Sequence, residues 1–539
     1  MLLNCLLLGA LWVRFGELGP HWLALEAGMI VAIFSLLPRG RSSGTLAVLT
    51  ALAISLVSLF SFADTAMRQS LARPLNLYLD LRLADSVVHL LQGALGPVRG
   101  LLAVTAGGIA GLACVALLTW QLYRLTLPER HRGLRPRVAP ALLLGVALVA
   151  VPVRWQHPTG VVMALPAIQL ITEQSAQIAR MRQERARFEE ELASALPSPE
   201  SAAGLYQGLE GRDVVLAFIE SYGSTVLDDP RYAPVVRPRL TDMAEALDQA
   251  GVHVVTGRLE APSQGGMSWL GHGSVLSGLW LDNQLRYDLM LASDRTTLVD
   301  DFRAAGYHTA ALMPAITLAW PEGVRFGYDE IRDHARIDYA GPPLNWVTMP
   351  DQFTWSYLEQ TIRHRDDGQP VFAELGLISS HAPWTPILEV IDDWGTIGDG
   401  RVFERWRDAG ERPEDLWRDS DRVREHYARS VGYALETLSS WASTFVDDGV
   451  VVIALGDHQP APLITGDDAP RTVPIHVMAT DSMLLVPFER WGFARGVLPP
   501  DGETVADPAD VRRMSEFRGW FVETFGGRGH SDEEPDGDA

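Results

Sequence analysis

Asp213-Val214-Val215-Leu216-Ala217-Phe218-Ile219-Glu220-Ser221-Tyr222-Gly223 is the stretch on which the architecture of this chain turns. Val214–Ile219 is a continuous apolar run of strand length, without the alternation of a strand that has one wet face. Such a run predicts a strand buried on both sides, as in a sheet covered by helices. It ends abruptly in a carboxylate, a hydroxyl and a glycine. Similar runs recur at Thr309–Met313, Val371–Ile378, Val450–Leu455 and Pro474–Ala479, and amphipathic patterns such as Arg239–Ala250 and Arg422–Phe445 fall between them. Buried strands alternating with helices predict an α/β domain with a central, largely parallel sheet, in which ligands bind beyond the carboxyl ends of the strands.

Those ends carry the chemistry. The first run ends in Glu220-Ser221, Val450–Leu455 in Gly456-Asp457-His458, and Val371–Ile378 in Ser379-Ser380-His381-Ala382-Pro383. A single strand-end Asp or His more often caps a turn than binds a ligand. Three ends in one sheet, all offering oxygen or imidazole donors, point to a site. A fourth element, Ser263-Gln264-Gly265-Gly266-Met267-Ser268-Trp269-Leu270-Gly271-His272-Gly273-Ser274, pairs glycines with a hydroxyl at the start of a helical pattern. Ser263, Ser268 and Ser274 all compete for the nucleophile's role there, and an ordinary Ser N-cap is the structural alternative. Ser268 is preferred, because the glycines let the backbone approach closely and a helix N-terminus favours an anionic oxygen.

The first 155 or so residues are far more apolar than the rest of the 539-residue chain. Five apolar segments, approximately Leu2–Phe15, His21–Leu37, Thr45–Phe62, Leu101–Tyr123 and Val138–Val153, predict a bundle of about five transmembrane helices, the first, second and fifth being short. Arg39 and Arg41 in one connection, and Arg124, Arg130, Arg132, Arg135 and Arg137 in another, place both loops in the cytoplasm by the positive-inside rule. The chain after Val153 is then exported. Leu75, Leu79, Leu83 and Val87 recur at helical spacing in Ala63–Arg99, which suits an amphipathic helix on the membrane face or one packed on the bundle. Ile171–Leu196 reads as a linker helix and Ser531–Ala539 as a disordered acidic tail. The predicted organisation is a transmembrane region over 1–155, linker helices over 156–210, a catalytic domain over 211–527 and a tail over 528–539.

The formal net charge is -22, with nearly all the acidic excess after the apolar region, which argues against nucleic-acid binding. The two cysteines, Cys5 and Cys114, both lie in apolar runs, so neither a disulfide framework nor a cysteine zinc site is expected.

Taken in order, Phe218-Ile219-Glu220-Ser221-Tyr222-Gly223, the Gly-Gly-x-Ser segment, Ser379-Ser380-His381-Ala382-Pro383 and Gly456-Asp457-His458 resemble the alkaline phosphatase/sulfatase superfamily. The chain looks most like its membrane branch, which includes lipoteichoic acid synthases and phosphoethanolamine transferases. That resemblance implies a multi-pass plasma-membrane enzyme with an extracytoplasmic sulfatase-like domain. It implies that Glu220, Ser268, Asp457 and His458 bind one divalent metal ion, that Ser268 is the nucleophile, and that His381 and Trp320 contact the substrate. Where the synthases place a phosphate-gripping Arg soon after that Trp, this chain has Glu322, with Arg325 as a substitute. No Cys/Ser-x-Pro-x-Arg motif surrounds Ser268, so formylglycine-dependent sulfate-ester hydrolysis is not expected.

The donor set, two carboxylates and an imidazole, suits Mn²⁺ or Zn²⁺, with Mg²⁺ allowed. The expected chemistry is phosphotransfer through a covalent phospho-serine, acting on a membrane phospholipid or a cell-envelope polymer. The rivals are a phosphodiesterase, phosphatase or sulfatase-type hydrolase with water as acceptor, and a non-catalytic membrane scaffold. His272, four residues after Ser268, is a further candidate for substrate contact. His476, in a strand-like run, reads as structural rather than as a ligand of a second metal.

Overall fold

The computed structural model describes the chain apart from residues 16–22, 81–87, 89–91, 93–95, 128–137, 147–162, 194–205, 210, 366–367, 501–510 and 527–539. It divides into two compact units, Met1–Ala186 and Arg187–Ala539.

In the first unit the principal helices are α1 (Leu2–Phe15), α2 (Leu25–Leu36), α3 (Arg41–Leu71), α4 (Pro97–Leu125) and the part of α5 (Pro166–Ala193) up to Ala186. Among the described residues, two helices are long and apolar enough to cross a membrane, Arg41–Leu71 and Val98–Leu125. The described residues therefore do not confirm the expected count of five. At 14 and 12 residues, α1 and α2 rise only about 21 and 18 Å, short of a hydrocarbon core of about 30 Å. Helical residues 138–146 belong to the expected fifth segment, and the rest of it lies outside the described residues. Leu49, Leu59, Leu102 and Leu112 stand exposed on α3 and α4, an apolar belt of the kind that lipid covers. Part of the expected amphipathic helix over Ala63–Arg99 lies outside the described residues. Ala63–Leu71 continue α3, Leu77–Asp80 is helical, and Leu83 and Val87 lie outside the described residues. Glu26, in the first turn of α2, accepts the Ala167 and Ile168 amides at 3.1 and 3.4 Å, so it caps the start of α5. The tail lies outside the described residues.

The second unit is built on eight strands: β1 (Asp213–Ile219), β2 (His253–Glu260), β3 (His308–Met313), β4 (Glu330–Asp333), β5 (Val371–Leu377), β6 (Val450–Gly456), β7 (Thr472–Ala479) and β8 (Ala494–Arg495). They are ordered β8-β2-β7-β6-β1-β5-β3-β4. The five from β6 to β4 are parallel, whereas β7, β2 and β8 extend the sheet antiparallel. The sheet is thus mixed. The run at Pro474–Ala479 does form a strand, but it runs against β6.

Alternation along β1 feeds two cores. Val215, Ala217 and Ile219 face α6 (Ala233–Gln249) and α12 (Ser420–Phe445), through Val236, Leu240, Met243, Tyr427 and Val431. Phe218 faces the other way and stacks on His272 of α7 (Ser268–Ser277), with ring centroids 3.7 Å apart. On that side Phe372 of β5 stacks on Phe302 of α9 (Leu298–Ala304), at 4.2 Å. Further helices are α8 (Gln284–Leu291), α10 (Pro321–Phe326), α11 (Asp351–Tyr357) and α13 (Phe517–Phe525). Burying both faces of β1, β5 and β6 is why these strands read as unbroken apolar runs.

Candidate metal centre and nucleophile

β1 and β6 are hydrogen-bonded neighbours in register, Ile219 beside Gly456, so Glu220 and Asp457 leave the sheet side by side. Asp457 Oδ1 accepts the Ser221 amide at 2.8 Å and the His458 amide at 2.7 Å, which fixes its carboxylate against both turns. Ser221 sits at φ 55°, a left-handed conformation costing roughly 1–2 kcal/mol, and turns Glu220 back over the sheet edge. Its hydroxyl donates to Glu220 Oε1 at 2.8 Å.

His458 completes the cluster. One ligand atom from each of Glu220, Asp457 and His458 falls within 4.8 Å of the others. The His458 Nδ1–H donates to the Gln459 carbonyl at 2.9 Å, which leaves Nε2 with its lone pair. That nitrogen is buried without a hydrogen-bond partner and lies 3.4 Å from Glu220 Oε1 and 3.6 Å from Asp457 Oδ2. A lone pair facing two carboxylates is repulsive unless a cation lies between them. Two donors on a tetrahedral ion with bonds of about 2.1 Å stand about 3.4 Å apart. The orphaned nitrogen, the spacing and the donor chemistry all fit a divalent metal.

Electrostatics agree. Burial raises the Asp457 carboxyl above its ordinary range, and the charge of Glu220 adds to the effect. For Glu220, burial acts upward but is outweighed by His381 and His458, which hold it low. For His458, burial acts downward but the carboxylates of Asp457 and Glu220 outweigh it and raise the imidazole.

Ser268 reaches the same cluster from the opposite side. It is the first residue of α7, and its Oγ lies 3.4 Å from Glu220 Oε2. The approach uses left-handed backbone that glycine adopts without strain. Gly265, Gly266 and Met267 all have positive φ, at 75, 144 and 65°. One turn on, a Cβ at Gly271 would stand 2.7 Å from the Asp457 carbonyl, so α7 packs this closely only with glycine there. Of the two competing serines, Ser274 is used within its helix, where it donates to the Leu270 carbonyl at 2.7 Å, whereas the Ser263 hydroxyl is buried without a hydrogen-bond partner among the described residues.

The loop after β5 brings His381 to the Glu220 side. Ser380 Oγ donates to the Glu220 carbonyl at 2.6 Å, and the His381 Nδ1–H donates to the Ala382 carbonyl, leaving Nε2 available. Asp351, missed in the sequence reading, holds this loop. Its Oδ1 accepts the Ile378 and Ser379 amides at 2.7 and 2.8 Å, and burial pushes its carboxyl up to about 6. Trp320 precedes α10 with its indole folded over Gly323, where any Cβ would collide with it. The Arg325 guanidinium is spent on the Leu291 and Ser293 carbonyls at the end of α8. His476 lies fully buried in β7, bonded to Tyr222 and Thr256.

A second missed group lies beneath His272. Its Nδ1–H donates to Glu374 Oε1 at 2.7 Å, and Tyr328 donates to the other oxygen of that carboxylate. The one available signal was a single carboxylate in the otherwise apolar run Val371-Phe372-Ala373-Glu374-Leu375.

No protein-family model matches the chain, and no curated protein matches it. Solved structures do. The lipoteichoic acid synthase LtaP from Listeria monocytogenes is 14% identical over 54% of this chain and 71% of its own, with a TM-score of 0.35. The zinc complex of the periplasmic domain of EptC from Escherichia coli is 14% identical over 57% and 80%, with a TM-score of 0.34. The phosphoglycerol transferase GacH from Streptococcus pyogenes, in complex with sn-glycerol-1-phosphate, is 12% identical over 65% and 94%, with a TM-score of 0.36. The chain is similar to these proteins at low identity, and the reading of its site rests on the geometry of Glu220, Ser268, Asp457 and His458.

Proposed function

We propose that this chain is a membrane-anchored, metal-dependent phosphotransferase or phosphoester hydrolase whose nucleophile is Ser268 and whose substrates are lipid or cell-envelope headgroups outside the cytoplasm. The observation that carries the reading is the buried, unpartnered His458 Nε2 facing Glu220 and Asp457, with the Ser268 hydroxyl on the same cluster. Glu220, Asp457, His458 and Ser268 would hold one divalent ion, Mn²⁺ or Zn²⁺ by donor chemistry. When bound, such an ion lowers the pKa of a coordinated hydroxyl and neutralises charge on phosphoryl oxygens.

The chain's own groups divide the remaining work. The Ser268 proton leaves toward Glu220 Oε2, and its Oγ forms the bond to phosphorus. The bond to the leaving alcohol breaks, and its oxygen takes a proton from Nε2 of His381. The Trp320 indole offers an apolar wall for a headgroup. The apolar belt of α3 and α4 supports a membrane anchor, and the Arg clusters support export of Asp213–Gly527.

The test is mass spectrometry of the Ser268 peptide after the full chain is incubated with phospholipids in nanodiscs. A phosphoryl adduct on Ser268, and its loss together with turnover in Ser268→Ala, are expected. Ser268→Thr should keep partial activity. Near-normal turnover in Ser268→Ala would overturn the assignment. A reporter active only in the cytoplasm, fused after Gly527, should be silent, and its activity would overturn the orientation.

A further inference from the structure

Glu374 is an anomaly of β5. It is a carboxylate in the middle of an almost wholly buried strand, paired with Leu216 of β1 and Ala311 of β3, and only 1% of its side chain is exposed. An apolar side chain would fill that position at far lower cost, because a buried carboxylate is tolerated only when charge-paired or hydrogen-bonded. Both of its oxygens are satisfied, one by the His272 Nδ1–H at 2.7 Å and one by the Tyr328 hydroxyl. An ionised carboxylate can only accept, so the bond fixes the proton of His272 on Nδ1 and leaves the lone pair on Nε2. The ring is clamped flat on Phe218, 3.7 Å between centroids and 19° between planes. Among the described residues its Nε2 has no hydrogen-bond partner, and 15% of the His272 side chain is exposed. Ser268 and His272 stand four residues apart on one face of α7, and Phe218 is two residues before Glu220.

We infer that His272 is the proton acceptor for the alcohol or water that discharges Ser268, and that Glu374, steadied by Tyr328, is the positioning residue that fixes its tautomer and direction. This rests on Ser268 being the nucleophile proposed above. In the discharge step the acceptor hydroxyl gives its proton to His272 Nε2, and its oxygen forms a bond to phosphorus. The bond from phosphorus to Ser268 Oγ breaks and Oγ takes the acceptor's proton from His272 Nε2–H, while the proton that Glu220 accepted in the first half returns through water to His381 Nε2, so that every group regains its starting state. The departure of the first alcohol does not use His272, so the two halves of the reaction separate.

Bis(4-nitrophenyl) phosphate is the probe, since its nitrophenolate leaves without a proton donor. In the full-length chain, His272→Asn and Glu374→Gln should keep a stoichiometric burst of nitrophenolate. Their steady-state rate should fall about a hundredfold, as the loss of general-base catalysis requires. The Ser268 peptide should then carry the adduct at steady state, and Tyr328→Phe should show a smaller loss of the same kind. An unchanged steady-state rate in Glu374→Gln, or a burst and steady state that fall together, would overturn the inference. If the unaltered chain releases no nitrophenolate, the phosphotransfer reading falls on its own. Labelling then judges the positioning claim without turnover. Diethyl pyrocarbonate should modify His272 at its free Nε2 in the unaltered chain, at a rate changed severalfold by Glu374→Gln, and equal rates would overturn the claim.

Discussion

His458 and His476 stand at neighbouring strands, β6 and β7, and both are buried to within 1% of complete exclusion from solvent. Their surroundings are opposite. The Thr256 hydroxyl donates to the Gly496 carbonyl at 2.7 Å, so it accepts from the His476 Nδ1–H at 2.9 Å. The Tyr222 hydroxyl then donates to His476 Nε2 at 3.0 Å. Every valence of His476 is used, and burial alone pushes its imidazole down to about 4, so it is neutral. His458 keeps one nitrogen unused and aimed at two carboxylates, and those charges hold its pKa up. Burial does not separate a structural histidine from a ligand, whereas an unsatisfied valence does.

The difference has measurable consequences. Glu220→Gln, Asp457→Asn or His458→Ala should each weaken metal binding by at least about a hundredfold, since even loss of a second-shell partner costs 10–100-fold. Chelator competition on the purified chain measures this, and His476→Leu in the same assay should stay close to the unaltered value. Metal affinity lost equally in His476→Leu would make the two histidines equivalent.

His476→Leu should act on the fold instead. It strands the buried Tyr222 hydroxyl, a cost of about 1–3 kcal/mol, and lowers the Tm by several degrees. Metal-free and metal-loaded chains should show the same drop.

A pH series sharpens the assignment. The folded-state pKa of His476 lies near 4, below its ordinary 6.5, so between those values the unfolded chain binds more protons than the folded one. Stability from this residue is complete above about pH 6.5, declines as pH falls, and is lost below about 4. At about 1.4 kcal/mol per pH interval of one, the integrated effect is of order 3 kcal/mol. The Tm of His476→Leu should vary less with pH across that window, and an unchanged pH dependence would show that another group carries it. Tyr222→Phe should have the smallest effect, about 1 kcal/mol, because it removes one donor and leaves a single ring nitrogen unpaired.

Much of this molecule was readable from its residues alone. β1, β5 and β6 announced themselves because strands covered on both faces must be apolar throughout, a strictly local signal. Glu220, Asp457 and His381 were findable because each ends such a run, and Ser268 because two glycines precede a helical pattern. The tertiary structure decided the rest. β2, with Gly257 and Arg258 inside it, lacks an unbroken apolar run, and nothing local told β7 to run against β6. α1 has the bounds that hydropathy suggested, Leu2–Phe15, and α2 begins at Leu25, because composition does not say where within an apolar run a helix starts. The Glu374 partners lie 102 and 46 residues away, and Asp351 reaches 27 residues to the loop of His381. Arg325, chosen for its charge, is engaged by two carbonyls from a helix end more than thirty residues earlier in the chain. Periodicity and strand ends are written over a few residues, because backbone geometry repeats every two or 3.6. Hydrogen-bond partners for a buried charge are set by which strands and helices meet, and that is a property of the assembled sheet.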